Sequence, residues 1–402
     1  MTDAPRIARK SFDPRATGPL EGVRVIDMSR LVAGNIVTHA LADFGADVIK
    51  VERPGAGDDL RNWRVRGHSV FWKTYARNKR SIALDIKDAK GRAILERLIR
   101  QAHVLVENFV PGTMEKMGLG PDALLAMNRK LVVVRVSGWG QTGPWKDKPG
   151  FGTLVEAMSG FAHMNGFPDK PPAVPPLALA DMIAGQTGAF AVMTALREVE
   201  VKGGDGQVID LSLFEPIFAA VASEAGVASI EGKGAMRAGN TASHTAPRNL
   251  YACSDGKYVA LSGSMQAMAE RILRTIGRPE LVNDPRFATN DARVRHRDEL
   301  DAIIAGFIGA RTQEQNLALF EAAGVTVGPV CAMEDLLVHP YPLGREAIVA
   351  ADDVDLGHLP MHNVVPRLSR TPGTFRRPAP TVGADTEEVL ADLERWEKSA
   401  GG

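Results

Sequence analysis

Apolar runs of strand length alternate with segments of helical spacing along the first half of the chain. The spacing predicts helices over Leu31–Phe44 and Lys90–Gln101, and Gly45 is a natural C-terminal stop for the first of them. The apolar runs predict buried strands over Val23–Met28, Asp47–Glu52, Ser81–Asp85, His103–Glu107 and Leu131–Ser137. Strand–helix–strand alternation is typical of parallel strands joined by right-handed crossovers. This half therefore predicts a doubly wound α/β domain.

The pattern changes after the apolar run Gln207–Phe214. Small residues over Phe218–Ile230 predict a helix, and the glycine-rich stretch Gly232–Asn240 follows it. Two short apolar runs within Leu250–Ser262 flank an SDG turn, a spacing typical of a β-hairpin. Helical patterns after this hairpin indicate a smaller α+β domain. The proline-rich tail ends in a segment that predicts a last helix over Thr386–Lys398.

Composition argues against several classes of protein. The 402 residues carry a formal net charge of zero, from 48 basic and 48 acidic side chains, whereas nucleic-acid-binding proteins usually have a basic excess. Cys253 and Cys331 lie outside any CxxC pattern and the nine histidines are scattered, so we expect neither a disulfide framework nor a metal site. The N-terminus has no apolar signal region, and no stretch approaches the ~20 apolar residues of a membrane span. We therefore expect a cytoplasmic protein without nucleic-acid or membrane partners.

A glycine motif after the last predicted strand of this half imitates a dinucleotide site. Gly138 to Gly143 (GWGQTG) matches GxGxxG, but a dinucleotide-binding loop must open a helix. Pro144 and Trp145 follow here instead, so the motif predicts a plain turn and argues against an NAD-dependent oxidoreductase. The chain also lacks the GxSxG, P-loop and HExxH motifs.

The segment Leu177–Leu196 predicts a carboxylate at the start of a long apolar helix. Asp181 precedes the helix-forming run, and the free N–H groups and dipole of a helix start would stabilise its charge. A plain helix-capping aspartate explains this pattern as well as a functional residue does. Gly185 and Gly188 lie in the first two turns, although a glycine inside a helix costs up to ~1 kcal/mol relative to alanine. Either a ligand or a packed neighbouring helix therefore needs close access to this face.

Cationic residues cluster between Arg53 and Lys87, after a predicted strand. Pro54, Gly55 and Gly57 mark an ordered turn at the C-terminal end of that strand, the usual ligand edge of a doubly wound sheet. The cluster is either a solvated loop or a binding site for a phosphorylated ligand.

In their order along nearly the whole chain, these segments resemble the class III CoA transferases, the CaiB–BaiF family. The motifs that carry the resemblance are PLEGVRVIDMSR, GADVIKVERPGAGD, NKRSIALD, VENFVPGTMEKMGLG, SGWGQTGP, ADMIAGQTG, GQVIDLSLFE, APRNLYACSDGKYVAL, GVTVGPV and RRPAPTVG. The resemblance implies a homodimer whose two chains pass through each other like linked rings. It also implies a Rossmann-like large domain over residues 1–205, a linker over 206–230, a small α+β domain over 231–325, and a return to the large domain over 326–402.

The resemblance implies a reaction as well. In transferases of this family, the aspartate that matches Asp181 attacks an acyl thioester, which gives a mixed anhydride and free CoA thiolate. The thiolate then forms an aspartyl-CoA thioester, from which an acceptor acid takes the CoA. The implied substrates are an acyl-CoA, with succinyl-CoA as a candidate donor, and a small carboxylic acid. Neither a tightly bound cofactor nor a metal is implied.

CoA-binding positions are carried over where the family's motifs match. They are Arg53 for the nucleotide phosphates, Leu84, Lys87, Asn108 and Phe109 for the adenosine and pantetheine groove, Val32 and Ala33 in the first strand–helix loop, and Lys116. Lys116 stands where many members have arginine. It keeps the positive charge but cannot form the two parallel hydrogen bonds that an arginine makes to a phosphate. Gly263 lies where some transferases carry a glycine-rich loop over the active site, but the segment here reads LSGSMQ.

Two departures from the family's patterns narrow the reaction. Phe151 and Gly152 stand where racemases of the family carry a His–Asp pair, which disfavours racemisation by that mechanism. Val32 stands where formyl-CoA:oxalate transferases have glutamine, which disfavours oxalate. The main hypothesis is therefore an acyl-CoA:carboxylate CoA-transferase, in which Arg237 or Arg248 holds a second carboxylate. A CoA-ester isomerase and a non-enzymatic acyl-CoA-binding subunit are the alternatives.

Overall fold

The computed structural model of the protein describes residues 6–400. They form two compact units, one made of residues 6–159, 175–221 and 337–400 and the other of residues 160–174 and 222–336. The N-terminal segment in which no signal region is expected begins with residues 1–5, and these lie outside the described residues, as do residues 401–402. The predicted domain bounds, at 205, 230 and 325, stay a prediction.

Short strands occur in both units. In chain order they are β1 (Ala8–Lys10), β2 (Arg24–Asp27), β3 (Asp47–Glu52), β4 (Lys79–Ala83), β5 (Val104–Glu107), β6 (Val132–Ser137), β7 (Val208–Ser212), β8 (Arg248–Ala252), β9 (Tyr258–Ser262), β10 (Val327–Pro329), β11 (Ile348–Asp353) and β12 (Gly357–His362).

Helices connect these strands. They are α1 (Ala33–Asp43), α2 (Val70–Tyr75), α3 (Ala89–Gln101), α4 (Thr113–Lys116), α5 (Pro121–Met127), α6 (Gly152–Met158), α7 (Phe161–Met164), α8 (Leu179–Lys202), α9 (Phe214–Val221), α10 (Ser223–Glu231), α11 (Gln266–Thr275), α12 (Asn290–Arg295), α13 (Arg297–Gly309), α14 (Gln313–Ala322), α15 (Met333–Leu336), α16 (Pro340–Gly344) and α17 (Thr386–Ala400). Single 3₁₀ turns cover Asp59–Asn62 and Pro279–Val282.

The first unit is built on a six-stranded parallel sheet with the order β4-β3-β2-β5-β6-β7. The order changes direction at β2, which pairs with β3 on one side and with β5 on the other. At such a switch point the connections diverge and leave a crevice at the C-terminal strand ends, where doubly wound folds bind their ligands. The α/β class predicted from the sequence is confirmed.

The two faces of this sheet pack against different helices, because neighbouring residues of a strand point to opposite sides. Ile26 of β2 belongs to an apolar cluster with Leu95 of α3 and Leu393 of α17. The next residue, Asp27, instead accepts a hydrogen bond from Thr38 Oγ1 of α1 at 2.6 Å. Helix α1 therefore covers the face opposite to α3 and α17.

Two smaller sheets lie outside this parallel sheet. In the first unit, β1 pairs in parallel with β11, which pairs antiparallel with β12. In the second unit, β8 and β9 form the predicted hairpin, and β10 pairs antiparallel with β9. An apolar core that includes Val259, Ile272, Ile304 and Phe320 joins these strands to α11, α13 and α14.

Some elements differ from the sequence pattern. The strand β1 is only the tripeptide ARK, and β12 contains a proline and two histidines, so neither resembles a strand in sequence. The helix predicted over Phe218–Ile230 is wrong in its bounds, because α9 ends at Val221 and α10 begins at Ser223. The GWGQTG motif forms bends and turns and opens no helix, as predicted.

Helix α8 crosses α1 at close range. A Cβ atom at Gly185 would lie 2.5 Å from Cβ of Ile36, and one at Gly188 would lie 2.7 Å from Cγ2 of Val37. Only glycine allows the two helices to approach this closely, so helix packing explains both residues. By length and composition α8 also qualifies as a membrane span, the one such helix in residues 6–400. A buried helix of a globular protein meets the same test, and α1 covers part of the α8 surface.

We expect Gly185→Ala to destabilise the protein, because the new methyl group would overlap Ile36 of α1. The free energy of unfolding should fall by about 1–3 kcal/mol, the usual cost of overpacking a core. Urea unfolding followed by circular dichroism measures this change. Gly226→Ala in α10 is the control, since no atom lies within 4 Å of its added Cβ, and it should stabilise the protein by about 0.5–1 kcal/mol. Equal effects of the two substitutions would contradict the packing argument.

Candidate active site

Two helix N-termini meet at Asp181. This residue is the third of α8, is half-buried, and follows Ala178, which gives the helix no side-chain cap. The backbone N–H of Ala33, the first residue of α1, points at its carboxylate. Because α1 and α8 pack together through glycine, the orphan N–H groups of both helix starts lie near one negative charge.

The Asp181 carboxyl is less acidic than an ordinary aspartate. Burial is the main reason that its pKa rises to about 6, and the negative charge of Glu156 acts in the same direction. The N–H groups of Ala33 and of Asp181 itself oppose this rise. At neutral pH the side chain is therefore ionised and still more basic than usual, a combination that suits a nucleophile.

Gly152, the first residue of α6, lies directly against this carboxylate. A Cβ atom added to Gly152 would be 2.3 Å from Oδ2 of Asp181. No side chain other than hydrogen fits there without moving the carboxylate. Gly152, which stands where racemases of the family carry the second residue of the His–Asp pair, therefore has a steric role. Because it has no side chain, the Asp181 carboxylate can occupy the space beside it.

Glu156 is a site residue that the sequence reasoning missed. It lies on α6 one turn after Gly152, is 2 % exposed, and accepts a hydrogen bond from the Ala180 N–H at 3.1 Å through Oε1. The sequence feature that could have indicated it is a glutamate among the mainly apolar residues of the helix GTLVEAM. A charged residue in such a position needs a partner inside the protein.

The loop between β2 and α1 is held by side chains from other elements. Leu31 has a positive φ of 61°, a conformation that persists only when its surroundings enforce it. Asp58 Oδ1 accepts from the Leu31 N–H at 3.0 Å, and Asn35 Nδ2 donates to the Leu31 carbonyl at 2.6 Å. These two bonds fix the approach to Ala33, and so the direction of the N–H group that faces Asp181.

A buried charge network lies beneath that loop. Asp27 forms ion pairs with Lys50 and Lys79, both at 3.1 Å, and Lys50 also reaches Asp58 at 2.9 Å. Burial alone would raise the pKa of Asp27, but the two lysines hold it well below its ordinary range. Burial lowers the pKa of Lys79 to about 8 in spite of Asp27. The paired charges tie β2, β3 and β4 to the start of α1.

A groove of about 520 Å³ crosses the C-terminal ends of β2, β3, β4 and β5. Arg30, Arg53 and Lys87 give it a cationic rim, and Leu84 and Phe109 are among its apolar residues. The Arg30 guanidinium lies 5.6 Å from the centroid of the Phe109 ring, within cation–π range. The structure thus brings together four sequence-predicted residues, and it adds Arg30, whose signal was its position just after a buried strand.

The other predicted CoA contacts lie elsewhere. Asn108 accepts from the Arg30 N–H at 2.8 Å and donates to the Arg30 carbonyl at 2.7 Å, so its side chain holds the loop. Val32 is buried at the start of α1, next to Ala33. Lys116 is exposed at the end of α4. The described lining of the groove does not include Asn108, Val32, Ala33 or Lys116, and their contacts with CoA stay predictions.

A second cavity of similar size, about 570 Å³, lies beside the C-terminal tail of the first unit. Its lining includes Lys73 and Asp353, which are paired with each other at 2.6 Å. Neither Asp181 nor the loop after β2 reaches it. Within residues 6–400, no group of three or more His, Cys, Asp or Glu side chains is arranged to hold a metal ion.

The sequence model of CoA-transferase family III matches residues 20–386. The chain belongs to CoA-transferase family III. It is 39 % identical to the succinyl-CoA–D-citramalate CoA-transferase of Chloroflexus aurantiacus, over 94 % of this chain and 95 % of that protein. It is 32 % identical to the succinyl-CoA:glutarate CoA-transferase of Mus musculus, over 98 % of this chain and 90 % of that protein.

Solved structures agree with this assignment. The crystal structure of a CAIB/BAIF family protein from Brucella suis matches with a TM-score of 0.82 and 31 % identity, over 94 % of this chain and 100 % of that one. The family resemblance predicted from the motifs is therefore confirmed. As a member of CoA-transferase family III with CoA-transferase relatives, the protein is an enzyme that transfers CoA between carboxylic acids.

Replacing Asp181 by asparagine should stabilise the protein at high pH. Burial raises the carboxyl pKa from 3.8 to about 6, so ionisation of Asp181 destabilises the folded state. This destabilisation is absent below pH ~4 and complete above pH ~6. We expect Asp181→Asn to gain about 1–3 kcal/mol in the free energy of unfolding at pH 8 and almost nothing at pH 4. Urea unfolding across this pH range measures the gain.

The matched control for this substitution is Asp169→Asn, whose side chain is 72 % exposed. It should change the unfolding free energy little at either pH. A gain for Asp181→Asn that is the same at pH 4 and pH 8 would show that ionisation of this carboxyl is not what costs stability.

Proposed function

We propose that the protein transfers CoA from succinyl-CoA to a small dicarboxylic acid, with Asp181 as the covalent carrier. The observation that carries this proposal is the half-buried, unusually basic carboxylate of Asp181 beneath the N–H of Ala33. Carboxylates of this kind are suited to attack an activated acyl group. The names of the relatives support the donor, since the Chloroflexus and mouse enzymes both carry succinyl-CoA in their names.

The reaction balances with Asp181 as the only protein nucleophile. An Asp181 oxygen attacks the thioester carbonyl, a C–O bond replaces the C–S bond, and CoA leaves as thiolate. The thiolate then attacks the aspartyl carbonyl of the mixed anhydride and releases the donor's carboxylate. An acceptor carboxylate attacks the resulting aspartyl thioester, and the thiolate finally takes the acceptor's acyl group. Asp181 is regenerated, and no redox partner or metal is needed.

The surroundings of Asp181 suit this sequence of steps. Each attack builds negative charge on a carbonyl oxygen, and a fixed backbone N–H such as that of Ala33 stabilises such an oxyanion. The raised pKa makes the carboxylate a better nucleophile without leaving it protonated at neutral pH. Burial limits the access of water, which would hydrolyse the anhydride.

The groove beside the loop after β2 is the proposed CoA site. Its cations Arg30, Arg53 and Lys87 match the phosphates of CoA in charge. Leu84 and Phe109 offer apolar surface to the adenosine and pantetheine groups. Arg53 is paired only loosely with Asp59, at 3.7 Å and with 62 % of its side chain exposed, so it is free to turn toward a phosphate.

We further propose that the protein forms the interlocked homodimer that its family resemblance implies. The first unit exposes large apolar side chains close to the site, including Phe151 at 64 %, Leu177 at 53 % and Phe190 at 73 %. Large apolar side chains that are exposed to this degree are frequent at association surfaces.

The residues that hold the acceptor acid are a separate question. Arg237, one of the two arginines suggested by charge, donates to the carbonyls of His163 and Lys170 within the second unit. Arg248 donates to the carbonyls of Asn240 and Thr241 in the same unit. A role for Arg237 or Arg248 toward the acceptor stays a hypothesis.

The covalent route predicts a trappable adduct on one residue. After incubation with succinyl-CoA, the intact mass of the wild-type protein should show a CoA-sized increase, and hydroxylamine should convert the adduct to a hydroxamate. Asp181→Ala should give neither product. The rate of adduct formation should fall about tenfold per pH unit below pH ~6, because the protonated carboxyl does not attack.

The exposed Asp169→Ala variant serves as the control and should react like the wild type. Absence of any adduct, with succinyl-CoA still bound, would overturn the covalent route. Addition of a panel of dicarboxylic acids then identifies the acceptor by the new CoA ester formed. An adduct that no external acid discharges would point to the CoA-ester isomerase instead.

The proposed CoA site predicts which cations matter for binding. We expect Arg53→Ala to raise the dissociation constant of CoA about tenfold at low salt, as expected for the loss of one charge-assisted contact, and less at high salt. Isothermal titration calorimetry measures the change. Arg100→Ala removes an exposed cation outside the groove and should leave the constant unchanged. Equal weakening by both substitutions would mean that CoA responds only to overall charge.

A further inference from the structure

Helix α6 presents two residues to the start of α8 from one face. Gly152 and Glu156 are four positions apart, which places them one above the other on a helix. Gly152 lies against Oδ2 of Asp181, and Glu156 bonds to the N–H of Ala180, the residue before Asp181. One turn of α6 therefore contacts both the nucleophile and the backbone that carries it.

Helix α8 depends on this contact because it has no cap of its own. Ala178 stands at its N-cap and offers no side-chain acceptor. Four N–H groups at a helix start lack partners within the helix, and Glu156 supplies one from a different element. A negative charge at this end is also favoured by the dipole of a 24-residue helix.

We propose that Glu156 is a positioning residue for Asp181, which holds the start of α8 in place and sets a second negative charge beside the proposed nucleophile. This inference rests on the proposed covalent role of Asp181. It assigns to Glu156 two separable actions: the carboxylate oxygen accepts the Ala180 N–H, and the negative charge repels the ionised Asp181. Glu156 itself touches no reacting atom.

The electrostatic action follows from the position of the two carboxylates. Both lie in a part of the protein that excludes most water, where like charges repel each other more strongly than in solution. Removing the charge on Glu156 should therefore make Asp181 easier to ionise. Burial remains, so the pKa of Asp181 should stay above that of an ordinary aspartate.

Other charged groups near α8 do not compete with Glu156 for this effect. The ionisable side chains on the elements packed against α8 have their own partners: Glu215 with Ser212, His39 with Asp43, Arg135 with Glu107, and Asp210 with the N–H of Gln141. Glu156 is the charged side chain that acts together with burial to raise the pKa of Asp181.

Two substitutions separate the actions of Glu156. Glu156→Gln keeps an oxygen of the same reach that can accept the Ala180 N–H, and it removes the charge. Glu156→Ala removes both the acceptor and the charge. If the inference is right, the glutamine variant changes the pH dependence of Asp181 with little loss of structure, and the alanine variant also loosens the start of α8.

The decisive measurement does not depend on catalysis. The unfolding free energies of wild type, Asp181→Asn, Glu156→Gln and the double variant are compared from pH 3 to pH 9. The change in unfolding free energy caused by Asp181→Asn grows with pH until Asp181 is fully ionised in the folded state. In the Glu156→Gln background this growth should end about one pH unit lower. An unchanged end point would overturn the inference.

Adduct formation with succinyl-CoA gives the kinetic counterpart. For Glu156→Gln, the acid limb of the rate should move to lower pH by the same amount, and the plateau rate should fall severalfold because a less basic carboxylate attacks more slowly. Glu156→Ala should lose a further tenfold or more at every pH, since its nucleophile is no longer held. If Glu156 had only a structural role, the acid limb of the glutamine variant would stay in place, and this result would refute the charge effect.

Absence of adduct in wild type would refute the proposed function instead, while the unfolding measurement would still decide the inference.

Discussion

The close packing of α1 on α8 brings together the two helix starts on which the site depends. Gly185 and Gly188 allow the two helix backbones to approach, and this approach carries the N-terminus of α1 to the N-terminus of α8. Asp181 then lies under the N–H of Ala33. Two helix starts converging on one carboxylate give an electrostatic environment that neither helix offers alone. The geometry around Asp181 is therefore a consequence of how two core helices pack.

That packing would be of little use if the loop between β2 and α1 could move. The charges of Asp27, Lys50, Lys79 and Asp58 are buried and mutually paired, and breaking such a set is costly because it leaves an unpaired charge in the interior. Asp58 of this network accepts from the N–H of Leu31, which has a left-handed conformation. Asn108, which follows β5, accepts from the N–H of Arg30 in the same loop. The same loop thus serves Asp181 through Ala33 and the groove through Arg30. If the groove binds CoA as proposed, a rigid loop lets both parts of a CoA ester be held at once.

Sequence reasoning could reach the parts of this arrangement that are local in the chain. The parallel strands, the helix that carries Asp181 and the cation cluster each leave a periodic or compositional pattern, and the family motifs join them. The reasoning could not find Glu156, because its importance comes from the contact between α6 and α8, which are 20 residues apart and show no pattern in common. It could not choose between ligand access and helix packing for Gly185 and Gly188, because both leave the same glycines. It also assigned Asn108 to the ligand, although an asparagine after a strand fits a loop clamp equally well.

The same physics explains why the site is held by other elements and not by its own helix. A carboxylate with a pKa near 6 is unfavourable to ionise in a buried position, so its charge alone would favour opening the start of α8 to water. The Asp181 carboxylate already accepts from its own N–H and from that of Ala33. Glu156 of α6 accepts the neighbouring Ala180 N–H instead, and its negative charge raises the pKa of Asp181 further. The arrangement gives up some stability at neutral pH in exchange for a carboxylate that is at once ionised, held in place and more basic than usual, as the proposed nucleophilic role requires.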